Sequence, residues 1–280
     1  MKLSEMQETK PGASLVGALA LFVAVRCAVP WMPALPRGVN EVVAIGLYVW
    51  LVVALVLWLV RNPIVKELRA LVLLASGLAW VALLLAIKKE PAVEILLRSV
   101  QDACLVAFMA TAALLVVPLL KETSILVPIV GAAAVADVIY ILVAPMQTIL
   151  SKAPDVVTKV AAYVPAFGEG LDKAAGPKGF WIGPGDVLLI AFMFAACARF
   201  QLRSRRTFWA TGAIVWVALL IVALTGWPLP GWLFLATAFL VANAGAITLT
   251  PEERRITYGA LVAGVLLVIG AAWAVATRGG

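Results

Sequence analysis

Apolar residues fall along this chain in long blocks, and the polar and turn-forming residues gather between the blocks. A spanning helix needs about 20 mostly apolar residues to cross a hydrocarbon layer about 30 Å thick. By that rule the pattern predicts nine spans, at roughly 13–33, 41–60, 68–87, 101–120, 125–146, 180–199, 207–225, 230–249 and 257–276. Prolines and glycines at 30–38, 62–63, 91 and 226–231 fit the turns between them. The expected fold class is all-α, a polytopic transmembrane helical bundle.

The longest interruption is 150–178. Within it DVVTKVAAYV puts Val156, Val157, Val160 and Val164 at helical spacing, with Lys159 on another face. That spacing predicts a short helix lying in the membrane interface, the alternative being an ordinary structured loop.

Composition supports the membrane reading. Hydrophobic residues make up 64% of the 280 and charged residues 13%, with a mean hydropathy of +1.06, far from the balance of soluble domains. The net charge of +7 does not point to nucleic acid, because the basic residues lie between apolar blocks, where they orient spans. With the amino terminus inside, the inner segments hold Lys2, Lys10, Arg61, Lys66, Lys121, Arg203, Arg205, Arg206, Arg254 and Arg255. Lys88, Lys89 and the lysines of 150–178 oppose that count, but long loops weigh little in the rule. The expected orientation is therefore a cytoplasmic amino terminus, with the first block a retained span and not a removed signal.

Two compositional facts narrow the chemistry. Cys27, Cys104 and Cys197 lie far apart inside apolar blocks, a spacing that suits neither a disulfide nor a metal site. Histidine is absent, which removes the HExxH zinc proteases and the serine–histidine dyad of rhomboid-type proteases.

Ionisable residues at membrane depth are costly and are functional candidates by default. Four stand out: Arg26, Asp102, Asp137 and Asp186. Arg26 is expected to snorkel or to pair with an acid, and Asp102 to sit at an interfacial helix start. Asp137, in AAAVADVIYILV, follows small residues that allow a neighbouring helix to approach closely. Asp186, in GPGDVLLI, follows Pro184, which suits the first turn of a helix, where the dipole favours a negative charge. Both aspartates flank the same loop and are expected roughly 9 to 14 Å below one surface, at 1.5 Å per helical residue. Two carboxylates at one depth have the makings of an aspartyl dyad, in which one takes a proton from water while the other hydrogen-bonds the substrate carbonyl. A proton or ion relay, or two structural aspartates, are the alternatives.

The sequence Gly183-Pro184-Gly185-Asp186, with Asp137 upstream in a separate apolar block, resembles the intramembrane aspartyl proteases of the presenilin and signal peptide peptidase (GxGD) family. The order of features matches over about 124–250: an aspartate helix, a loop of some dozens of residues, the GxGD helix, one further span, then a proline-rich helix start. AFMFAACARFQLRSRR, with Arg199 and Phe200 before a basic turn, is also similar to signal peptide peptidases. The family's Pro-Ala-Leu motif has its counterpart by chain order in Pro228, Leu229 and Pro230, while MPALP at 32–36 lies far upstream of both aspartates. Departures are Ala136 where the family has Tyr, with Tyr140 one helical turn later, Pro-Leu-Pro for Pro-Ala-Leu, four spans before the first aspartate helix, and one extra span after the PLP helix.

The resemblance implies an N-terminal transmembrane region over 1–123, a GxGD aspartyl protease core over 124–250 and an additional C-terminal span over 251–280. It implies an intramembrane aspartyl endopeptidase with Asp137 and Asp186 catalytic and no metal or organic cofactor. Gly183, Pro184, Gly185, Pro228, Leu229, Pro230 and Tyr140 would contact the substrate. Expected partners are transmembrane peptides or remnant signal peptides and the lipid bilayer. The rival class is a proton- or ion-coupled transporter using the same aspartates, followed by a non-catalytic membrane scaffold.

Overall fold

The computed structural model describes residues 11–62, 68–86, 91–142, 160–165, 167–168, 181–226 and 229–278. Among these are nine α-helices: α1 (Pro11–Ala28), α2 (Arg37–Arg61), α3 (Arg69–Ala86), α4 (Pro91–Val116), α5 (Leu126–Leu142), α6 (Pro184–Arg199), α7 (Ser204–Thr225), α8 (Gly231–Ala242) and α9 (Pro251–Arg278). Each coincides with one apolar block of the sequence. Three are long and apolar enough to cross a membrane: Gly38–Arg61, Val93–Leu119 and Ser204–Thr225. Several others are shorter apolar helices, such as Leu126–Ile141 and Gly231–Ala242.

The helix ends follow from local chemistry. Proline opens α6 and α9 at the first helical position, where its missing N–H leaves nothing unsatisfied. Gly226, at φ 70°, closes α7 in the left-handed conformation that glycine adopts without a Cβ penalty. Pro118 ends α4 in a 3-10 turn, Val117–Leu119. Arg199 then donates to the carbonyl of Leu120 at 2.8 Å, tying the end of α6 to the end of α4.

Helix α6 is the axis of the bundle. Val187, Ile190, Ala191, Met193, Phe194, Ala196 and Cys197 are all buried, against α4 and α2 on one side and α7 and α8 on the other. A helix with apolar residues all round its circumference belongs in such a centre. The main neighbours of α5 are α8 and α9, so α8 stands between the two aspartate helices. Helix α3 leans on α4, and α9 lies at the periphery with Val262, Leu266 and Leu267 exposed.

Two expectations are corrected. Asp102 is not at an interfacial helix start: α4 begins at Pro91, a turn-forming residue whose apolar continuation is interrupted by Glu94 and Arg98, and Asp102 lies in its middle, 3% exposed. Nor is 155–164 wholly an interfacial helix. Residues 155–159 lie outside the described residues, but β1 (Ala162–Tyr163) pairs antiparallel with β2 (Trp181–Ile182), Ala162 opposite Ile182. Val160 is helical, but at Ala162–Tyr163 the backbone is extended and paired with Trp181–Ile182, and Ala162 and Val164 are buried in the bundle.

Candidate active site

Asp186 is the third residue of α6, and its position is set by the residues before it. Gly183 is the N-cap in extended conformation, Pro184 fixes the first helical φ, and the Gly183 N–H donates to Asp186 Oδ2 at 3.0 Å. This is the return half of a capping box, in which a first-turn acid satisfies the backbone donor of the N-cap. The ribbon of β1 and β2 ends at Ile182 and delivers the chain directly into this turn.

Asp137 reaches the same place from α5. The first turn of α8 has backbone donors without helical acceptors, and one of them, the Trp232 N–H, donates to Asp137 Oδ2 at 2.8 Å. The adjacent residue meets the other aspartate, because a Cβ on Gly231 would lie 2.9 Å from Asp186 Oδ1. So the two carboxylates lie against consecutive residues at the start of the PLP helix. They are close enough to interact electrostatically.

The second glycine of GxGD has a physical reason here. A Cβ on Gly185 would come within 2.6 Å of Trp232 Cζ2, so only glycine lets the indole lie across the start of α6. The indole Nε1 of Trp232 lies 3.3 Å from where that Cβ would be, on the residue next to Asp186. Gly231 and Trp232 were not among the residues expected from the sequence. A glycine followed by an aromatic, directly after Pro230, was the available signal, but the decisive group is a backbone N–H, which no side-chain pattern advertises.

The other sequence candidates divide. Leu229 and Pro230 stand at the mouth of the site, half-buried, with Pro230 as N-cap of α8. Pro228 lies outside the described residues. Gly183 and Pro184 shape the turn that holds Asp186, and Gly185 is covered by Trp232. Tyr140, three residues beyond Asp137, is 43% exposed.

Both aspartates are half-buried, and neither has an ion-pair partner among the described residues. Sixteen residues of α6 rise about 24 Å and twelve of α8 about 18 Å, both short of a hydrocarbon layer of about 30 Å. An apolar groove of about 660 Å³ between α5 and α9, lined by Ile139, Ala263, Leu266, Leu267 and Gly270, offers no polar group for chemistry. Ile139 is two residues from Asp137 and so faces away from it on the helix.

The other buried ionic cluster joins α1, α2 and α4. Arg26 meets Asp102 Oδ2 at 2.6 Å and donates to Ser99 Oγ at 2.9 Å, while the Tyr48 hydroxyl donates to Asp102 Oδ2 at 3.0 Å. Of the two fates expected for Arg26, pairing with an acid is the one observed. Comparison of the chain with protein-family profiles, with curated proteins and with solved structures finds no match.

Proposed function

We propose that this chain is a multi-pass intramembrane aspartyl endopeptidase with a presenilin-like core, in which Asp137 and Asp186 share one catalytic water. The observation that carries the reading is the convergence of both carboxylates on Gly231 and Trp232, at the start of the helix that follows Pro-Leu-Pro. Three features joined in the sequence only by a resemblance meet at one point in space. The GxGD turn, the upstream aspartate and the proline-rich helix start are neighbours.

In the proposed reaction one carboxylate, ionised, takes a proton from water as the water oxygen attacks the scissile carbonyl. The other, protonated, hydrogen-bonds the carbonyl oxygen and stabilises the tetrahedral intermediate. Collapse of that intermediate breaks the C–N bond, with the proton passing to the leaving amine, and restores the one-proton state of the pair. The Trp232 N–H and the Gly183 N–H each hold one carboxylate in orientation, leaving its remaining lone pairs for water and substrate.

A transmembrane substrate hides its amides in its own helix and must open locally. The half-buried Leu229, just before the N-cap Pro230 whose own carbonyl accepts the Phe234 N–H at 3.4 Å, is the backbone position for that pairing. The amino terminus is proposed to be cytoplasmic, which puts 150–178 outside and favours substrates with their amino ends inside, such as remnant signal peptides.

The test is cleavage of a model transmembrane peptide by the purified full chain. Asp137→Asn and Asp186→Asn should each lower turnover by about a thousandfold or more. A transition-state analogue of peptide hydrolysis should block the wild type. Cleavage that survives either substitution removes the dyad. Proton-coupled uptake into liposomes, lost in the same variants without any cleavage, would put a transporter in its place.

A further inference from the structure

We infer that Asn40 is a positioning residue that latches the segment between the aspartate helices onto the N-terminal region and thereby holds Asp186 in place. The inference rests on the proteolytic reading for its effect on turnover, but not for the latch itself.

Asn40 is in the first turn of α2, and its amide engages one residue of the distant segment in both directions, at its N–H and at its carbonyl. Its Nδ2 donates to the carbonyl of Phe167 at 2.8 Å, and its Oδ1 accepts from the Phe167 N–H at 2.9 Å. A side-chain amide that gives and takes a hydrogen bond with the same residue imitates a strand partner, and only Asn or Gln carries both groups on one side chain. The neighbouring contacts run the same way. Gly168, at φ +70°, lies so close to Ala34 that no Cβ fits, and Pro165 is buried beside Arg26, Val29 and Tyr48. Val164 and Ala162 are buried as well.

From this anchor a short run of backbone leads to the site. Phe167 is followed back along the chain to β1, β1 pairs with β2, and β2 ends at Ile182, next to the Gly183 whose N–H orients Asp186. The β1–β2 ribbon is only two residues long on each strand, too short to be stable alone, so it leans on this anchor. The N-terminal region, which has no counterpart in the family resemblance, is thus the fixed wall against which the GxGD turn is built.

The experiment compares wild type, Asn40→Ala and Asn40→Asp as full chains in detergent, by amide hydrogen exchange over 160–168 and 181–186 and by cleavage of the model transmembrane peptide. Asn40→Ala should exchange about tenfold faster at Phe167 and at Gly183, as expected for loss of two hydrogen bonds. Its kcat should fall about tenfold with KM unchanged and with a melting midpoint within about 2 °C of wild type. Asn40→Asp, which keeps the acceptor for the Phe167 N–H, should lie between. Unchanged exchange at Gly183 in Asn40→Ala overturns the latch, and faster exchange with unaltered kcat overturns its positioning role. If wild type cleaves nothing, the proteolytic reading falls, and the linked exchange of Phe167 and Gly183 still decides whether the latch exists.

Discussion

Asp102 and Asp186 are carboxylates inside the same helical bundle, and their surroundings differ in kind. Asp102 is 3% exposed and faces the Arg26 guanidinium at 2.6 Å and the Tyr48 hydroxyl at 3.0 Å, with Ser99 on the other side of the cation. Asp186 is half-buried, accepts the Gly183 N–H, and shares the end of α8 with a second carboxylate. A buried carboxylate matched by a cation and a hydroxyl is ill-suited to chemistry: its charge is neutralised, and Oδ2 of Asp102 is engaged by both partners. Two half-buried carboxylates held by backbone donors, with no cation paired to either among the described residues, keep the capacity to exchange a proton. The first arrangement ties three helices together, and the second is suited to chemistry.

The largest effect that separates them is on stability. Arg26→Met leaves Asp102 in a dry site without its cation and should cost about 3–5 kcal/mol, measured by thermal or denaturant unfolding in detergent. The double substitution Arg26→Met with Asp102→Leu should recover most of that loss, because it removes both charges together. Asp186→Asn, by contrast, should cost no more than about 1 kcal/mol while abolishing turnover. Equal destabilisation by Arg26→Met and Asp186→Asn would erase the contrast.

A smaller effect falls on activity. Gly231→Ala places a Cβ 2.9 Å from Asp186 Oδ1, so the carboxylate or the start of α8 must shift. Displacements of this size near reacting groups lower turnover by about a hundredfold. Gly17→Ala in α1, where a Cβ meets nothing within 4 Å, serves as the matched control and should leave cleavage intact. Full activity in Gly231→Ala would mean that the observed position of Asp186 is not the working one.

The division between these sites was only partly legible in the sequence. The nine helices were, because blocks of apolar residues bounded by Pro, Gly and charge carry that information locally. The start of α6 at Pro184 was also legible, and with it the first-turn position of Asp186. The partner of Arg26 was not, since Asp102 lies far along the chain and nothing local distinguishes a paired aspartate from an interfacial one. Extended backbone at Ala162–Tyr163 was hidden for the same reason, as its partner Trp181–Ile182 follows a long connection. The Trp232 N–H and the amide of Asn40 were missed because one is backbone and the other lies outside the region of resemblance.

The smallest effect concerns how the helices of Asp102 and Asp137 are supported. Helix α4, with Asp102, is surrounded by α1, α2, α3 and α6, whereas α5, with Asp137, depends mainly on α8 and the peripheral α9. Helices α5 and α9 run side by side: Gly264 lies so close to Val135 that a Cβ would come within 2.7 Å of its Cγ2. Near the amino ends of both helices, Glu253 in the first turn of α9 interacts electrostatically with Ser124, two residues before α5, whose hydroxyl also donates to Glu122 Oε2 at 3.4 Å. Glu253 also closes a capping box with Thr250, accepting the Thr250 N–H at 2.7 Å and donating its own N–H to Thr250 Oγ1 at 3.2 Å. The Ser124 hydroxyl first, and then the Thr250 N–H and hydroxyl, hold the Glu253 carboxyl below its ordinary value. A depressed folded-state value means that the stabilising contribution is complete above the unfolded glutamate value of about 4.3 and is lost as pH falls through the lower folded value. Between about pH 5 and pH 3 the melting midpoint of wild type should therefore drop about 1–2 °C further than that of Glu253→Gln, whose amide accepts the same bonds at any pH. Identical pH profiles for the two proteins would show that the Ser124 contact does not help hold α9 against the helix of Asp137.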